Sequence, residues 1–518
     1  MSFLNKLTLW CRQEMVQHMP FALMAYMMGI LAFFYFKRMS LVVWIFVGLG
    51  AVSVLMTRRH LVLSWFCGIV FFFFLGFTNI YLHAKYSGYY ALKQPEYQIR
   101  IEATVAENQP LPEKQILTLE KIRWPSPDLK LPQKIKVHFK SGEPLLHSGD
   151  KVKLLASLYP PDENFSPAYA YQLKFAGIGA TGIAEEVQVL NPACRTSFLF
   201  EMRRFIHKRL FQILPPLQAE VATPLITGEQ KLVSPTTYQI YRRAGIAHVL
   251  SVSGFHMALL AGFLFFVIQS LLALFPRIVL YYNTKKLAAV IAFFGTFLYL
   301  GLSGFQVPAV RAFLMISFVF FGVLIERSVL SMHSLILVAF GVLLFAPQML
   351  LSISFQLSFM AVVVLVSFCQ YLSHQSWPKS VKSVVGFVGL NFFVCAALTP
   401  FILYHFHQGM PYGLMGNMVF SSAFSCFIMP LLFLGCLLMP LGMDAPFFHL
   451  AGWGLEKVYF AARKLAYLPY SEIITPTYSA FSLGSICFGI LMICWMKTPL
   501  KWLGGLLIMV GILLGIWA

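Results

Sequence analysis

Apolar runs of roughly 17 to 25 residues, the length a helix needs to cross a bilayer, recur through most of this chain and constrain it more than any other feature. The hydrocarbon offers no water to backbone groups, so each such run must be a helix that makes its hydrogen bonds within itself. Only 11% of the 518 residues are charged and 58% are hydrophobic, about half the charge of a soluble chain. The pattern predicts a polytopic α-helical membrane protein of about ten to twelve spans.

One stretch breaks the pattern. Residues 85–195 are charged, contain several prolines, and alternate between apolar and polar positions in Tyr97–Val105, Gln115–Ile122, Lys134–Phe139 and Lys151–Ala156, with a further strand near Ile178–Leu190. Period-two patterning with turns at Pro110, Pro112, Ser141-Gly142 and Ser148-Gly149-Asp150 predicts about five strands. With a helix near Ala168–Phe175, they suit a small inserted β-barrel of the OB type. The chain then divides into anchor spans at 1–84, this barrel at 85–195, amphipathic helices at 196–245 and a transmembrane domain at 246–518.

The first block has apolar runs near 20–36, 41–56 and 61–83, separated by Lys37-Arg38 and Arg58-Arg59-His60. It opens on a polar stretch with Lys6, Arg12 and Glu14, and further runs follow, which is the pattern of a retained anchor and not of a cleaved leader. Three crossings from a cytoplasmic N-terminus deliver residue 85 to the outside. They also put Lys37-Arg38 outside, against the positive-inside tendency.

The net charge of +19 is placed unevenly. Residues 85–190 hold 13 Lys/Arg against 12 Asp/Glu, so nearly all the excess lies elsewhere. The positive-inside rule accounts for much of it in short loops. It does not account for Arg311, inside an apolar run, or for Arg242 and Arg243, which precede a polar motif; these three are reserved for a substrate. The segment 195–211 is apolar on one helical face and basic on the other, as an interfacial helix on anionic headgroups would be. The nine cysteines form no Cys-x-x-Cys pair, and none falls in residues 85–190, which argues for apolar packing and against a zinc cluster. His405-Phe-His407 has ligand-like spacing with no acidic or Cys neighbour, so no metal and no cofactor is expected.

The polar motif is His248-Val-Leu-Ser251-Val-Ser253-Gly254-Phe-His256, at the mouth of a long apolar run. Ser253 and His256 lie three apart and share a helical face. Three readings stay open: lining of a transport path, helix packing through small residues, and a membrane Ser/His hydrolase. The last lacks a nucleophile elbow and an evident acid. One span later come Gly301, Gly304, Gln306, Pro308 and Arg311. Glycine and proline there interrupt the helix, as at transport sites. A guanidinium in an apolar run needs water, a carboxylate or a phosphate; either a substrate phosphate or an ion pair with Glu326 or Glu229 would serve Arg311.

These segments, together with Pro224–Gln230, Ala346–Phe359 carrying Gln356 and Ser358, Thr399-Pro400 and Gly416-Asn417, closely resemble the ComEC family of competence proteins. The resemblance implies an inner-membrane channel that passes transforming DNA inward as a single strand, with an extracytoplasmic OB-like domain at 85–195. It places Arg242, Arg243, His248, Ser251, Ser253, Gly254, His256, Gln306, Pro308, Arg311, Gln356, Ser358 and Asn417 along the path.

Within the barrel, Trp124, Lys134, Lys136, Lys151 and Lys153, beside Tyr97, Phe139 and Tyr159, offer stacking rings over a basic groove. Core packing of the rings with outward lysines is the alternative, and near-neutral charge favours it. Many family members continue into a metallo-β-lactamase-like domain, whose His-x-His-x-Asp-His signature does not occur here. A separate nuclease and separate competence DNA-binding proteins are therefore expected partners, beside single-stranded DNA and inner-membrane lipid. No Walker loop is found, and no catalytic residue is assigned. A transporter of lipid or polysaccharide intermediates would use a similar basic, polar-lined cavity.

Overall fold

The computed structural model describes residues 18–35, 61–86, 90–110, 114–124, 132–140, 146, 149–161, 173–191, 198–326, 331–475, 478–496 and 499–517. Lys37-Arg38, Arg58-Arg59, the run at 41–56 and the segment 164–171 lie outside the described residues. The chain is mostly helical and divides into two compact units, one of residues 24–200 and 343–351, the other of 1–23, 201–342 and 352–518.

The first unit pairs helix α1 (His18–Tyr35) with α2 (Leu61–Tyr86). They meet through glycine: a Cβ on Gly29 would overlap the Phe73 carbonyl, and one on Gly76 the Tyr26 carbonyl. Small residues let backbones approach this closely in apolar surroundings. Tyr26 and Asn79 are bonded to each other, and both donate to the Leu343 carbonyl, at 3.3 and 3.1 Å.

The same unit contains five strands, β1 (Glu96–Pro110), β2 (Lys114–Arg123), β3 (Lys134–Lys140), β4 (Lys151–Tyr159) and β5 (Ile178–Asn191). They bond in the order β1-β2-β3-β5-β4, and β4 returns to β1, so the sheet closes on itself. All pairs are antiparallel except β3 with β5. The five expected strands are found at slightly longer bounds because alternation decides them: Val152, Leu154, Ala156 and Leu158 point inward while Lys151 and Lys153 face out. Leu117, Leu119, Ile135 and Val137 fill the same core. Of the helix expected near Ala168–Phe175, residues 173–175 are helical and the rest lies outside the described residues.

The second unit begins with α3 (Phe198–Ile213), α4 (Pro216–Thr227) and α5 (Pro235–Arg243). Then follow α6 (Gly254–Ala273), α7 (Pro276–Tyr281), α8 (Thr284–Leu302), α9 (Val307–Leu324) and α10 (Met332–Phe345). The last part holds α11 (Ile353–Ser373), α12 (Lys379–Phe406), α13 (Gly413–Leu441), α14 (Ala445–Ala466), α15 (Ala480–Trp495) and α16 (Trp502–Trp517). Ala261 of α6, Ala289 and Ala292 of α8 and Phe320 of α9 form one buried cluster; Met360 and Val364 of α11 with Ala397 and Phe401 of α12 form another, packed against α15.

Six helices among the described residues are long and apolar enough to cross a membrane: α2, α6, α8, α11, α12 and α13. Five shorter apolar helical segments of 10–17 residues lie beside them, Pro308–Leu324 of α9 and the helices α10, α15 and α16 among them. Prolines cut these runs short: Pro308 sits in the first turn of α9, and Pro347 opens a 3-10 turn between α10 and α11. Helix α13 is π-helical at Asn417–Ser421 and again at Phe424–Ile428.

Candidate substrate-path site

The site is assembled where three helix breaks meet. Helix α4 stops at Gly228, whose φ of 77° gives a left-handed cap with its N–H on the Pro224 carbonyl. After Glu229 the chain re-enters a helix at Ser234, the N-cap of α5, whose hydroxyl accepts the Thr237 N–H at 3.3 Å. Glu220 of α4 supports this cap, accepting from the Ser234 and Thr237 hydroxyls at 3.2 and 2.6 Å. Helix α5 ends at Gly245, φ 77°, where an added Cβ would overlap Gly413; the chain must be glycine there on both counts.

A 3-10 turn over Ala247–Leu250 then leads to α6, and Ser251 donates to the His248 carbonyl at 3.0 Å. Ser253 is the N-cap of α6. The Nδ1 atom of His256 accepts the Ser253 N–H at 3.3 Å and lies 3.2 Å from the Ser253 hydroxyl. This is the reciprocal geometry of a capping box with histidine in the place of Glu or Gln. His256 is fully buried, and its Nε2 has no partner among the described residues.

The third break separates α8 from α9. Gly304 (φ 80°) and Phe305 (φ 52°) reverse the chain, and three side chains pin the turn. Arg203 of α3 donates from Nε to the Leu302 carbonyl and from Nη2 to the Gly301 carbonyl, both at 2.7 Å. Burial pushes its guanidinium down, and the nearby Glu229 carboxylate offsets part of that. Gln306 donates to the Gly228 carbonyl at 2.8 Å, and Tyr299 to that of Leu225 at 2.6 Å. Pro308 then opens α9, and Arg311 follows in its second turn.

Arg311 is only 4% exposed, and its Nε, Nη1 and Nη2 all lack a hydrogen-bond partner among the described residues. Neither acid weighed for an ion pair reaches it. Glu326 binds Lys286 at 2.8 Å, and Glu229 lies by Arg203. A Cβ on Gly254 would stand 3.5 Å from the Ala312 Cβ, so the start of α6 packs on the turn of α9 that bears Arg311. The segments 224–256 and 303–312 are thus one structural locus.

The remaining residues are placed differently. Arg242 and Arg243 both pair with Glu472, Arg243 at 3.3 Å, so part of the charge reserved for a substrate meets a carboxylate of the chain itself. Gln356 on α11 bonds His405 at 2.9 Å, and Ser358 is half-buried on the same helix. Asn417 lies beside the Gly245 turn, because Gly416 backs against the Ala244 carbonyl. Its amide donates to Cys395 at 3.4 Å and its buried Oδ1 has no partner among the described residues. Among the described residues no three His, Cys, Asp or Glu side chains gather as metal ligands.

In the sheet, Trp124 and Phe139 pack against the core, while Lys134 faces Glu120 and Lys153 faces Glu102, each at 3.9 Å. Lys151 is exposed on β4, and Lys136 is half-buried on β3 between Thr118 and Thr181. Tyr97 and Tyr159 form an exposed edge-to-face pair at 6.0 Å. Sequence reasoning placed Arg203 on an interfacial helix, for membrane docking or for guiding DNA, and missed that it pins the turn of α8 and α9; it missed Glu472 altogether. An arginine on an amphipathic helix and a lone acid near the end of the chain carry no local mark of a partner about a hundred or more positions away.

The competence-protein family profile matches residues 225–500, just over half of the chain. The chain belongs to the ComEC family of competence proteins. It is 27% identical over 243 residues to ComE operon protein 3 of Bacillus subtilis, covering 47% of this chain and 29% of that protein. It is 29% identical over 217 residues to Recombination protein 2 of Haemophilus influenzae, covering 40% of this chain and 27% of the relative. With Competence protein ComA of Neisseria gonorrhoeae the identity is 33% over 171 residues, covering 31% of this chain and 24% of the relative. The aligned regions thus span 24–29% of these relatives' lengths. No solved structure matches. The family's matched region contains the whole Arg311 locus from Leu225 onward.

Proposed function

We propose that this chain is an inner-membrane channel for natural competence that passes transforming DNA into the cytoplasm as a single strand. The observation that carries the reading is Arg311: a buried guanidinium on an apolar helix whose three nitrogens find no partner among the described residues. Such a group is costly unless something anionic visits it, and a planar fork suits phosphate. Single-stranded DNA carries a charge about every 3.4 Å, so its path needs cationic and polar lining. His256, Gln306, Gly254, Ser251, Ser253, His248 and Pro308 surround the same helix breaks; Asn417, Gln356 and Ser358 extend the lining along α11 and α13. Arg242 and Arg243, held by Glu472, serve its approach.

On this reading the sheet is an OB-like barrel facing the extracytoplasmic side, the chain performs no catalysis, and a separate nuclease and soluble competence proteins complete the pathway. The test is deletion in the host with fluorescent DNA, complemented by wild type or Arg311→Gln at matched protein level. Entry restored by wild type alone supports the reading. Persistent entry without the protein overturns it and favours an envelope transporter of lipid or polysaccharide intermediates.

The Ser253–His256 contact also suits a hydrolase. Labelling by a serine-reactive probe that Ser253→Ala abolishes would favour that role over helix capping.

A further inference from the structure

An open cleft of about 270 Å³ lies between α5 and the end of α14, outside the locus of Arg311. Ile240 and Ala466 form its apolar floor; Thr236, Gln239, Arg243 and Tyr467 form its rim. We propose that this cleft binds one nucleotide unit of a single-stranded nucleic acid, with its base against Tyr467 and its phosphate on Arg243. The proposal rests on the DNA-channel reading and adds to it a second contact point on the strand's route.

Three independent observations point to this ligand. The first is charge. Arg243 bonds Glu472 through Nε only, and its two Nη groups have no protein partner among the described residues. Arg463 stands 5.9 Å over the Tyr467 ring, and Lys464 is exposed in the same helical turn. Glu472 is shared by Arg242 and Arg243, and Arg463 and Lys464 add two further cations beside Tyr467 on the other wall of the cleft. An anion is the ligand such a surface attracts.

The second is the platform. Tyr467 is 69% exposed and Tyr470 79%, and unpaired bases stack on such rings without regard to sequence. A duplex keeps its bases inside, so the arrangement selects a single strand. An anionic lipid headgroup would share the phosphate contact but leave the ring unused.

The third is rigidity. Ser471 donates to the Ala466 carbonyl at 2.9 Å, Tyr412 to that of Pro469 at 3.0 Å, and Glu472 ties the loop to α5. Tyr470 is held at φ 60°, a conformation a bulky residue adopts only where its surroundings impose it. The loop is held in place before any ligand arrives.

The experiment uses the full chain in zwitterionic nanodiscs with a short oligothymidylate carrying a photoreactive thymine analogue. Crosslinking to Tyr467 is expected. Tyr467→Ala should weaken binding about tenfold, within the range for losing one stacked base, while Tyr467→Phe keeps it. Arg243→Gln should weaken binding and flatten the salt dependence by about 0.7 in log–log slope, the share of one phosphate on a single strand.

Wild-type binding with crosslinks elsewhere, or unchanged affinity in both Tyr467→Ala and Arg243→Gln, overturns the cleft and leaves the channel reading intact. A photoreactive phosphatidylglycerol that labels Tyr467 and is not displaced by the oligonucleotide also overturns it, in favour of lipid. If the wild-type chain binds no single strand and its deletion leaves import intact, the channel reading itself falls.

Discussion

Arg311 of α9 and Arg203 of α3 show how differently one side-chain type can be used around one helix break. Arg311 makes no bond within the described protein, whereas Arg203 spends its fork on the last carbonyls of α8. The Leu302 carbonyl is left over at the helix end, that of Gly301 takes the guanidinium beside the Gly304 N–H, and a cation there also suits the helix dipole. Arg203→Ala should therefore lower thermal stability in detergent, by about 2 kcal/mol for hydrogen bonds to a charged group. It should also reduce DNA import, because the turn that orients Arg311 loosens. Arg203→Lys restores charge without the fork, so its import should remain below wild type; full recovery would show that charge alone suffices.

Asp444, fully buried, takes both ends of the Arg209 fork at 2.8 and 3.0 Å, which holds its carboxyl below the usual carboxylate range. A depressed folded value stabilises the protein above the unfolded value of about 3.9 and loses that contribution as pH falls below it. Asp444→Asn should melt earlier than wild type at neutral pH, and the gap should close as pH drops below about 4. A gap that stays constant across that range would show the pair to be packing and not charge.

At the scale of elements, close backbone contact decides where helices lie. Gly489 of α15 and Gly504 of α16 each leave room for the other's carbonyl, 2.5 Å from where a Cβ would stand. Gly504→Leu should force the hairpin apart, read as easier proteolysis between α15 and α16, while Gly505→Leu, where a Cβ meets nothing, should not.

Much of this level was legible in the sequence. The five strands follow from alternation, and the break at Gly304 from the glycines and proline around it; the breaks at Gly228 and Gly245 carry no such cluster and are found only in the fold. The proximity of 224–256 to 303–312 was not derivable from spacing; it entered through family likeness, and Gln306 on Gly228 gives it a physical cause. Arg242 and Arg243 looked free because Glu472, their partner, is 229 and more positions away. For Trp124 the sequence leaves stacking and core packing both open, with near-neutral charge favouring the core, because an alternating strand does not say which face closes inward until the sheet's pairing is known; the ring packs against the core.

For the molecule as a whole, two units with separate cores carry charge very differently. The sheet is near neutrality and pairs lysines with glutamates, while the helical unit carries most of the +19. Separate cores predict separable unfolding. Leu117→Ala, at a fully buried position of the sheet, should cost that unit about 3 kcal/mol. Hydrogen exchange should show faster opening of β1–β5 with α11 and α12 unchanged. Matched loss of protection in both would mean that the units unfold together.

The two π-helical stretches of α13 bear on how any part of this span can be exchanged or aligned. Each wider turn carries one residue beyond the regular count, and one residue corresponds to about 100° around a helix axis. The ends of the span are therefore out of phase by about 200° relative to an unbroken wheel, along which Phe420, Phe424, Met429 and Leu432 are all buried. Removing a single residue inside 417–421 or 424–428 would let that wide turn close to a regular one with the far side chains kept on their neighbours, whereas the same removal from the regular turns at 429–438 would swing the side chains beyond it by about 100°.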